Sequence, residues 1–195
     1  MKRTQRLFFA SLLSGLLIFL TGCATVVDGV NEDPIRMDPT ERSWGNWLDD
    51  QTIETVAEVN INKSSDEFRL NSRIKVISFN GIVLIIGQVP NQSLKDEAAR
   101  VVTPIQNVRK VYNELTIGQP AGVMEHSSDA WLTTKIKTKL IQDEIVSADK
   151  VKVNTEKGTV YLMGLATPKE ASSAVEAARN TRGVQKVVKV FEYVR

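Results

Sequence analysis

Apolar positions along this chain recur with two different periods, and the order in which the periods change occurs twice. Ile53, Ala57 and Ile61 stand four apart, as do Leu132, Ile136 and Leu140. That spacing puts each trio on one face of a helix, with Asp50 and Asp129 placed as N-caps. Alternation follows at Ile74 and Val76 and at Val151 and Val153. Next come Asn80-Gly81 or Lys157-Gly158, then the apolar runs 82–86 and 160–163. This order predicts a β-hairpin in each half, with glycine supplying the positive φ of the turn. Gly87 and Gly164, near the end of the second strand, predict a bulge or a close backbone approach. Segments 93–103 and 169–180 are rich in alanine and charge and read as a second helix. The β-branched alternation of 108–117 and 184–194 reads as a closing strand.

The two halves align through their glycine turns. At a spacing of 79, Asp50, Ile53, Ala57 and Ile61 match Asp129, Leu132, Ile136 and Leu140; at 77, Gly81 and Gly87 match Gly158 and Gly164; at 76, Ala98 and Val108 match Ala174 and Val184. The expected fold class is α+β, as two tandem modules of order αββαβ. Each has two helices on one face of a three-stranded mixed sheet, because the helical crossover returns the last strand parallel to a hairpin strand. The expected organisation is a first module at 50–118, a linker at 119–128 and a second module at 129–195. Modules of about 65 residues bury only roughly 60% of their unfolded surface, so the two are expected to dock on each other.

The N-terminal segment follows a different logic. Lys2, Arg3 and Arg6 precede an apolar run over 7–20 and then Leu20-Thr21-Gly22-Cys23. This is the order of an export signal, and the run is shorter than the ~20 residues that span a bilayer. Residues 1–22 are expected to be removed, and 23–49 to form a lipidated cysteine and tether. Small residues before the cysteine resemble the lipobox of bacterial lipoproteins. That resemblance implies a diacylglycerol on the Cys23 thiol and, with Ala24 rather than aspartate following, an address on the periplasmic face of the outer membrane. Cys23 is the only cysteine, so intrachain disulfides are excluded. Trp44 and Trp47 in the tether are expected either to cover a core edge or to dip into the membrane interface, packing being favoured.

Loss of Lys2, Arg3 and Arg6 with the signal leaves 22 Lys+Arg against 23 Asp+Glu, so global charge points to no partner. No catalytic constellation is visible and no cofactor is expected: the only histidine, His126, falls in the linker and reads as solvated, and no Gly-rich phosphate loop or ligand-spaced cluster occurs. Asp49-Asp50 reads as a cap and its dipole partner. The expectation is a protein that is not an enzyme and, outside the cytoplasm, has no nucleic-acid partner.

The two opening helices differ on their outward sides. Trp131, Thr134, Thr138 and Ile141 cluster opposite the core, beside Lys137, whereas Trp131, Thr134, Ile141 and Lys137 are matched in the first helix by Thr52, Thr55, Asn62 and Glu58. Lys135, Lys137 and Lys139 have no acid among them, while the first helix carries Glu54 and Glu58. Basic plus aromatic is an interfacial signature. Trp131, Thr134, Lys135, Lys137, Thr138 and Ile141 are therefore the expected contacts to anionic phospholipid. Two other readings stand beside this one. Trp131 would cover the seam between modules, or the same surface would be a protein–protein hot spot of an adaptor.

Gly81-Ile82-Val83-Leu84-Ile85-Ile86-Gly87 and Gly158-Thr159-Val160-Tyr161-Leu162-Met163-Gly164, each followed by an Ala-rich helix, resemble the BON domain. Gly183-Val184-Gln185-Lys186-Val187 adds to the match in the second module. Two such domains behind a lipobox are similar to the dual-BON outer-membrane lipoproteins of Gram-negative bacteria, and the similarity covers nearly all of the mature chain. The first module departs from the pattern at Pro104-Ile105-Gln106-Asn107-Val108, where the second has Arg182-Gly183-Val184. The resemblance implies binding of acidic, phosphatidylglycerol-like phospholipid through the second BON domain and a role in outer-membrane integrity. It also implies association with division sites; the adaptor reading would instead put outer-membrane assembly or division proteins on the same surface.

Overall fold

Ser43 opens the first helix: its hydroxyl oxygen accepts the Asn46 amide at 3.1 Å, and α1 then runs Trp44–Ser64 in the computed structural model, which describes residues 43–194. The export segment, Cys23 and most of the expected tether lie outside the described residues. The helix begins within the 23–49 stretch expected as tether. Its first turns bury no apolar side chain, so no periodic signal marked them. A short α2 (Asp66–Asn71) seats Phe68 in the core. Strands β1 (Arg73–Phe79) and β2 (Ile82–Val89) pair antiparallel, with Phe79 opposite Ile82. Between them Asn80 and Gly81 both take positive φ, 52° and 72°. That is the conformation of a two-residue type I′ turn.

The turn corrects the role expected of Asp50. Asp50 does not cap α1 and lies two turns inside it, fully buried, and its carboxylate accepts the Asn80 amide at 2.7 Å, the Gly81 amide at 2.9 Å and the Ser78 hydroxyl at 2.6 Å. A carboxylate suits this place because its acceptor sites satisfy the donors that the turn turns inward. Asp49 and Asp50 are thus not an N-terminal dipole pair.

Asn91 caps α3 (Gln92–Val102), and the chain then reaches β3 (Lys110–Asn113) and β4 (Thr116–Ile117). Both run parallel to β2 in one register, interrupted where Leu115 turns into the core. Before β3, Asn107 adopts φ 66° where the second module has Gly183 at φ 103°. Asparagine tolerates that left-handed conformation, so the turn survives the missing glycine.

In the second half α4 (Val123–Gln142) also starts early, inside the stretch expected as a linker. The Gly122 amide donates to the Glu125 carboxylate at 2.8 Å. His126 is therefore helical and half-buried rather than solvated in a linker, and its Nε2 is enclosed. Asp129 repeats the part of Asp50, accepting the Lys157 and Gly158 amides at 2.7 and 2.9 Å. A single turn of 3₁₀ helix (Ala148–Lys150) leads into β5 (Val151–Glu156), antiparallel to β6 (Thr159–Ala166). Helix α5 (Pro168–Arg179) crosses over to β7 (Lys186–Tyr193), which pairs parallel with β6. Gly87 and Gly164 sit opposite Ile74 and Val151, where a Cβ would collide with the carbonyls of Arg73 and Lys150. The close backbone approach expected of them is present.

Each sheet buries both faces. One face of β1 and β2, with Val76, Val83, Ile85 and Val89, packs on α1 and α3; the corresponding face of β5 and β6 packs on α4 and α5. The other faces meet each other: Ile77, Phe79, Leu84 and Ile86 lie against Tyr161, Met163, Leu165 and Val190. The layer order is therefore helices, sheet, sheet, helices. Burial in this seam pushes the Tyr161 phenol up to about 12, with Glu114 and Glu156 adding to the effect. At the rim Lys152 donates to Glu54 at 3.1 Å and to the Ser78 carbonyl at 2.7 Å, and Lys75 donates to Asn154 at 2.9 Å.

Candidate functional site

Leu132, Ile136 and Leu140 are buried to 2% exposure or less and fix the rotation of α4 on β5. Asp129 locks the same helix to the hairpin turn. The outward face is therefore rigid, as a recognition surface requires. Trp131 is 57% and Ile141 73% exposed. An indole at the seam would be covered; this one is in solvent, which removes the seam-covering reading of Trp131.

Thr134 and Thr138 stand between them. Their hydroxyls donate back to the Ala130 and Thr134 carbonyls at 2.9 and 3.0 Å, so each donor is satisfied within the helix and only lone pairs and methyl groups face outward. The Lys135 ammonium lies 4.6 Å from the centre of the Trp131 ring. This is a cation–π stack, which holds the charge beside the indole.

The three lysines do not form one stripe. Lys139 folds away from the face and donates to the Asn180 carbonyl at 2.9 Å and the Ala177 carbonyl at 3.4 Å, at the end of α5, where a cation complements the helix dipole. Lys137 is exposed but lies toward the module seam, with Glu54, Lys75 and residues 151–154 around a cavity of about 320 Å³. Its charge helps to hold the Lys75 ammonium pKa below its usual range; burial is the larger cause, and Glu156, Glu54 and Glu58 oppose both. The face proper joins Trp131, Thr134, Lys135, Thr138 and Ile141, and Lys137 stands at its margin.

Two residues of this face fell in the stretch read as a linker. Val123 and Met124 are 84% and 88% exposed, and at 100° per residue Met124 projects within about 20° of Trp131. The helical start at Val123 brings them onto the face, a signal that the four-residue spacing of core positions did not carry. Among the residues of α4, no acidic one projects within the arc from Ile141 through Trp131 to Lys135. Among the described residues no group of three or more His, Cys, Asp or Glu is arranged to hold a metal, and no helix is long and apolar enough to cross a membrane.

This arrangement suits contact with a surface rather than enclosure of a small molecule. Burying the exposed part of an indole is worth roughly 2 kcal/mol at ~25 cal/mol per Å². A lysine near an anionic leaflet adds about 1 kcal/mol.

The BON domain model matches residues 49–119 and again 128–195. The chain is 38% identical over 184 residues to the outer membrane lipoprotein DolP of Haemophilus influenzae, covering 94% of this chain and 95% of that protein. It is 42% identical over 154 residues to a 21 kDa hemolysin of Actinobacillus pleuropneumoniae, covering 79% of each. It is also 28% identical over 155 residues to the osmotically-inducible protein Y of Escherichia coli, covering 78% of this chain and 76% of that protein.

Proposed function

The chain belongs to the BON-domain family and is a DolP-like outer-membrane protein, and on that footing we propose that it is a tethered reader of anionic phospholipid. In this reading Cys23 carries the lipid that fixes the chain to the periplasmic face of the outer membrane. The second module then engages phosphatidylglycerol-like head groups through Trp131, Thr134, Lys135, Lys137, Thr138 and Ile141. The observation that carries the reading is the exposed Trp131 with Lys135 stacked on it, on an acid-free face of a helix that the core holds rigid. Binding protein rather than enzyme is the role this surface supports. Support of envelope integrity, including at division sites, follows as the cellular consequence.

Acyl chains on Cys23 supply the permanent attachment, at ~0.8 kcal/mol per buried CH₂, so the helix face need add only a few kcal/mol to select among lipids. Flotation of residues 24–195 on vesicles with and without phosphatidylglycerol tests the reading, with wild type compared to Trp131→Glu. Binding is expected to require anionic lipid, to weaken with salt and to be lost in the variant. Absence of binding even at low salt overturns the lipid reading and assigns the face to a protein partner.

A further inference from the structure

The exposed side of α1 carries a row of apolar residues among its polar ones, which the four counterpart positions did not reveal. Trp44 is 86%, Leu48 61%, Val59 43% and Val56 36% exposed. At 100° per residue these four share an arc of about 120° with Gly45, Thr52, Thr55, Asn62 and Lys63. Asp49 borders the arc, Glu58 projects about 40° beyond its other edge and Glu54 about 80° beyond it. At its N-terminal end the Trp44 and Trp47 rings meet edge-on at 6.1 Å. These four stand opposite Val123, Ser127, Lys135 and Thr138 of α4, none of them at the positions of Thr52, Thr55, Glu58 and Asn62 that make the first helix look polar in the sequence.

We propose that this face is a second membrane-contact surface, whose occupant is the uncharged or zwitterionic part of the same leaflet that holds the Cys23 lipid. The proposal rests on the lipid-anchor reading above. Its first support is the position of α1 in the chain. Trp44 follows Cys23 by 21 residues, so the face can never lie further than about 75 Å from the anchor. A tethered surface meets its target at an effective concentration of order millimolar, at which weak apolar contact suffices. The second support is composition. A tryptophan at one end, branched apolar residues along the length and a single lysine at the other end make an interfacial face without a cationic cluster. The α4 face differs by offering a charge stacked on an indole. The two faces therefore respond to different lipids.

Layer order adds a consequence. Helices α1 and α4 belong to the two outer layers, separated by both sheets, so a flat leaflet takes one face at a time. Neutral membrane holds the first module down, and anionic lipid draws the second.

The lipidated mature chain, reconstituted in vesicles containing brominated phosphatidylcholine, tests this through tryptophan quenching. Trp47→Phe with Trp131→Phe leaves Trp44 as the reporter, and Trp44→Phe with Trp47→Phe leaves Trp131. In purely zwitterionic vesicles Trp44 emission is expected to fall by about half or more, as for an indole at the acyl boundary. Leu48→Glu in the same background is expected to restore it, and phosphatidylglycerol to shift quenching from Trp44 to Trp131. Unquenched Trp44 emission in neutral vesicles overturns the proposal. The anchor and α4 readings fail separately, by absence of the acyl mass on the purified chain and by Trp131 remaining unquenched in anionic vesicles.

Discussion

Arg109 and Glu192, 83 residues apart in the chain, form a two-pronged ion pair between the modules, with Nη2 donating to Oε1 at 2.6 Å and Nη1 to Oε2 at 3.1 Å. The Asn80 side chain donates to the same carboxylate at 2.9 Å, so the first hairpin turn and β7 share one clamp. The Arg109 hydrogen bond, and then Asn80, hold the Glu192 carboxyl below its usual pKa, against the opposing effect of burial.

A carboxyl whose folded pKa is lowered contributes stability above its unfolded pKa and loses it as pH falls through the folded value. A double-mutant cycle on Arg109→Ala and Glu192→Gln, read by urea denaturation, should give a coupling of about 0.5–1 kcal/mol at pH 7. The coupling should vanish once the pH is below the lowered pKa of Glu192.

Asp50 and Asp129 each hold a hairpin turn, but Asp50 accepts a third hydrogen bond, from Ser78. Each buried donor left unsatisfied costs about 1–3 kcal/mol. Asp50→Ala should therefore destabilise the chain by roughly 3–5 kcal/mol, and Asp129→Ala by roughly 2–4 kcal/mol. Hydrogen exchange checks the mechanism, because the amides of Asn80 and Gly81, or of Lys157 and Gly158, should lose protection first.

Glu170 closes a capping box at the start of α5: its carboxylate accepts the Thr167 amide at 2.8 Å while its own amide donates to the Thr167 hydroxyl at 3.2 Å. The Thr167 amide is the main cause that takes its pKa from 4.5 down to about 2; the Thr167 hydroxyl and Ser147 also contribute, against burial. Because the folded value is depressed, its stabilisation is present above pH 4.5 and lost as the pH falls toward 2. Glu170→Gln should cost about 1 kcal/mol at neutral pH. Thermal melts of wild type and variant should converge across that acid window.

Lys135 and Lys139 stand one helical turn apart, yet they point to different tasks. Lys135→Ala should weaken binding to anionic vesicles about five- to tenfold, from the ~1 kcal/mol of one lysine at the surface, and leave the melting temperature unchanged. Lys139→Ala should do the reverse, lowering stability by about 0.5–1 kcal/mol through the α5 terminus with little change in lipid affinity. Vesicle titration and thermal melts on both variants separate the two roles.

Much of the fold is legible in the amino-acid sequence. Four-residue spacing at Ile53, Ala57 and Ile61 marks a buried helix face, and Asn80-Gly81 between apolar runs marks a hairpin, because each pattern records which side of its own element meets the core. The same logic failed for Asp50 and Asp129. An aspartate ahead of the first inward apolar residue is read as a cap when the helix is taken to begin there, and here two further turns precede it. Of the candidate face, Trp131, Thr134, Thr138 and Ile141 were placed outward by periodicity alone, as the structure has them. Val123 and Met124 were missed because turns that overhang the core leave no apolar period.

The sequence by itself determined the repeat, the order of elements in each module and the orientation of each helix on its own sheet. These depend on contacts that recur every two or four residues. Only the tertiary structure decided that Arg109 meets Glu192, that Lys139 turns to α5 while Lys135 stays with Trp131, and that both sheets bury their second faces against each other. These partners are brought together by the crossover and by docking of the modules, and a local window of sequence holds no record of which distant group lies at the tip of a long side chain.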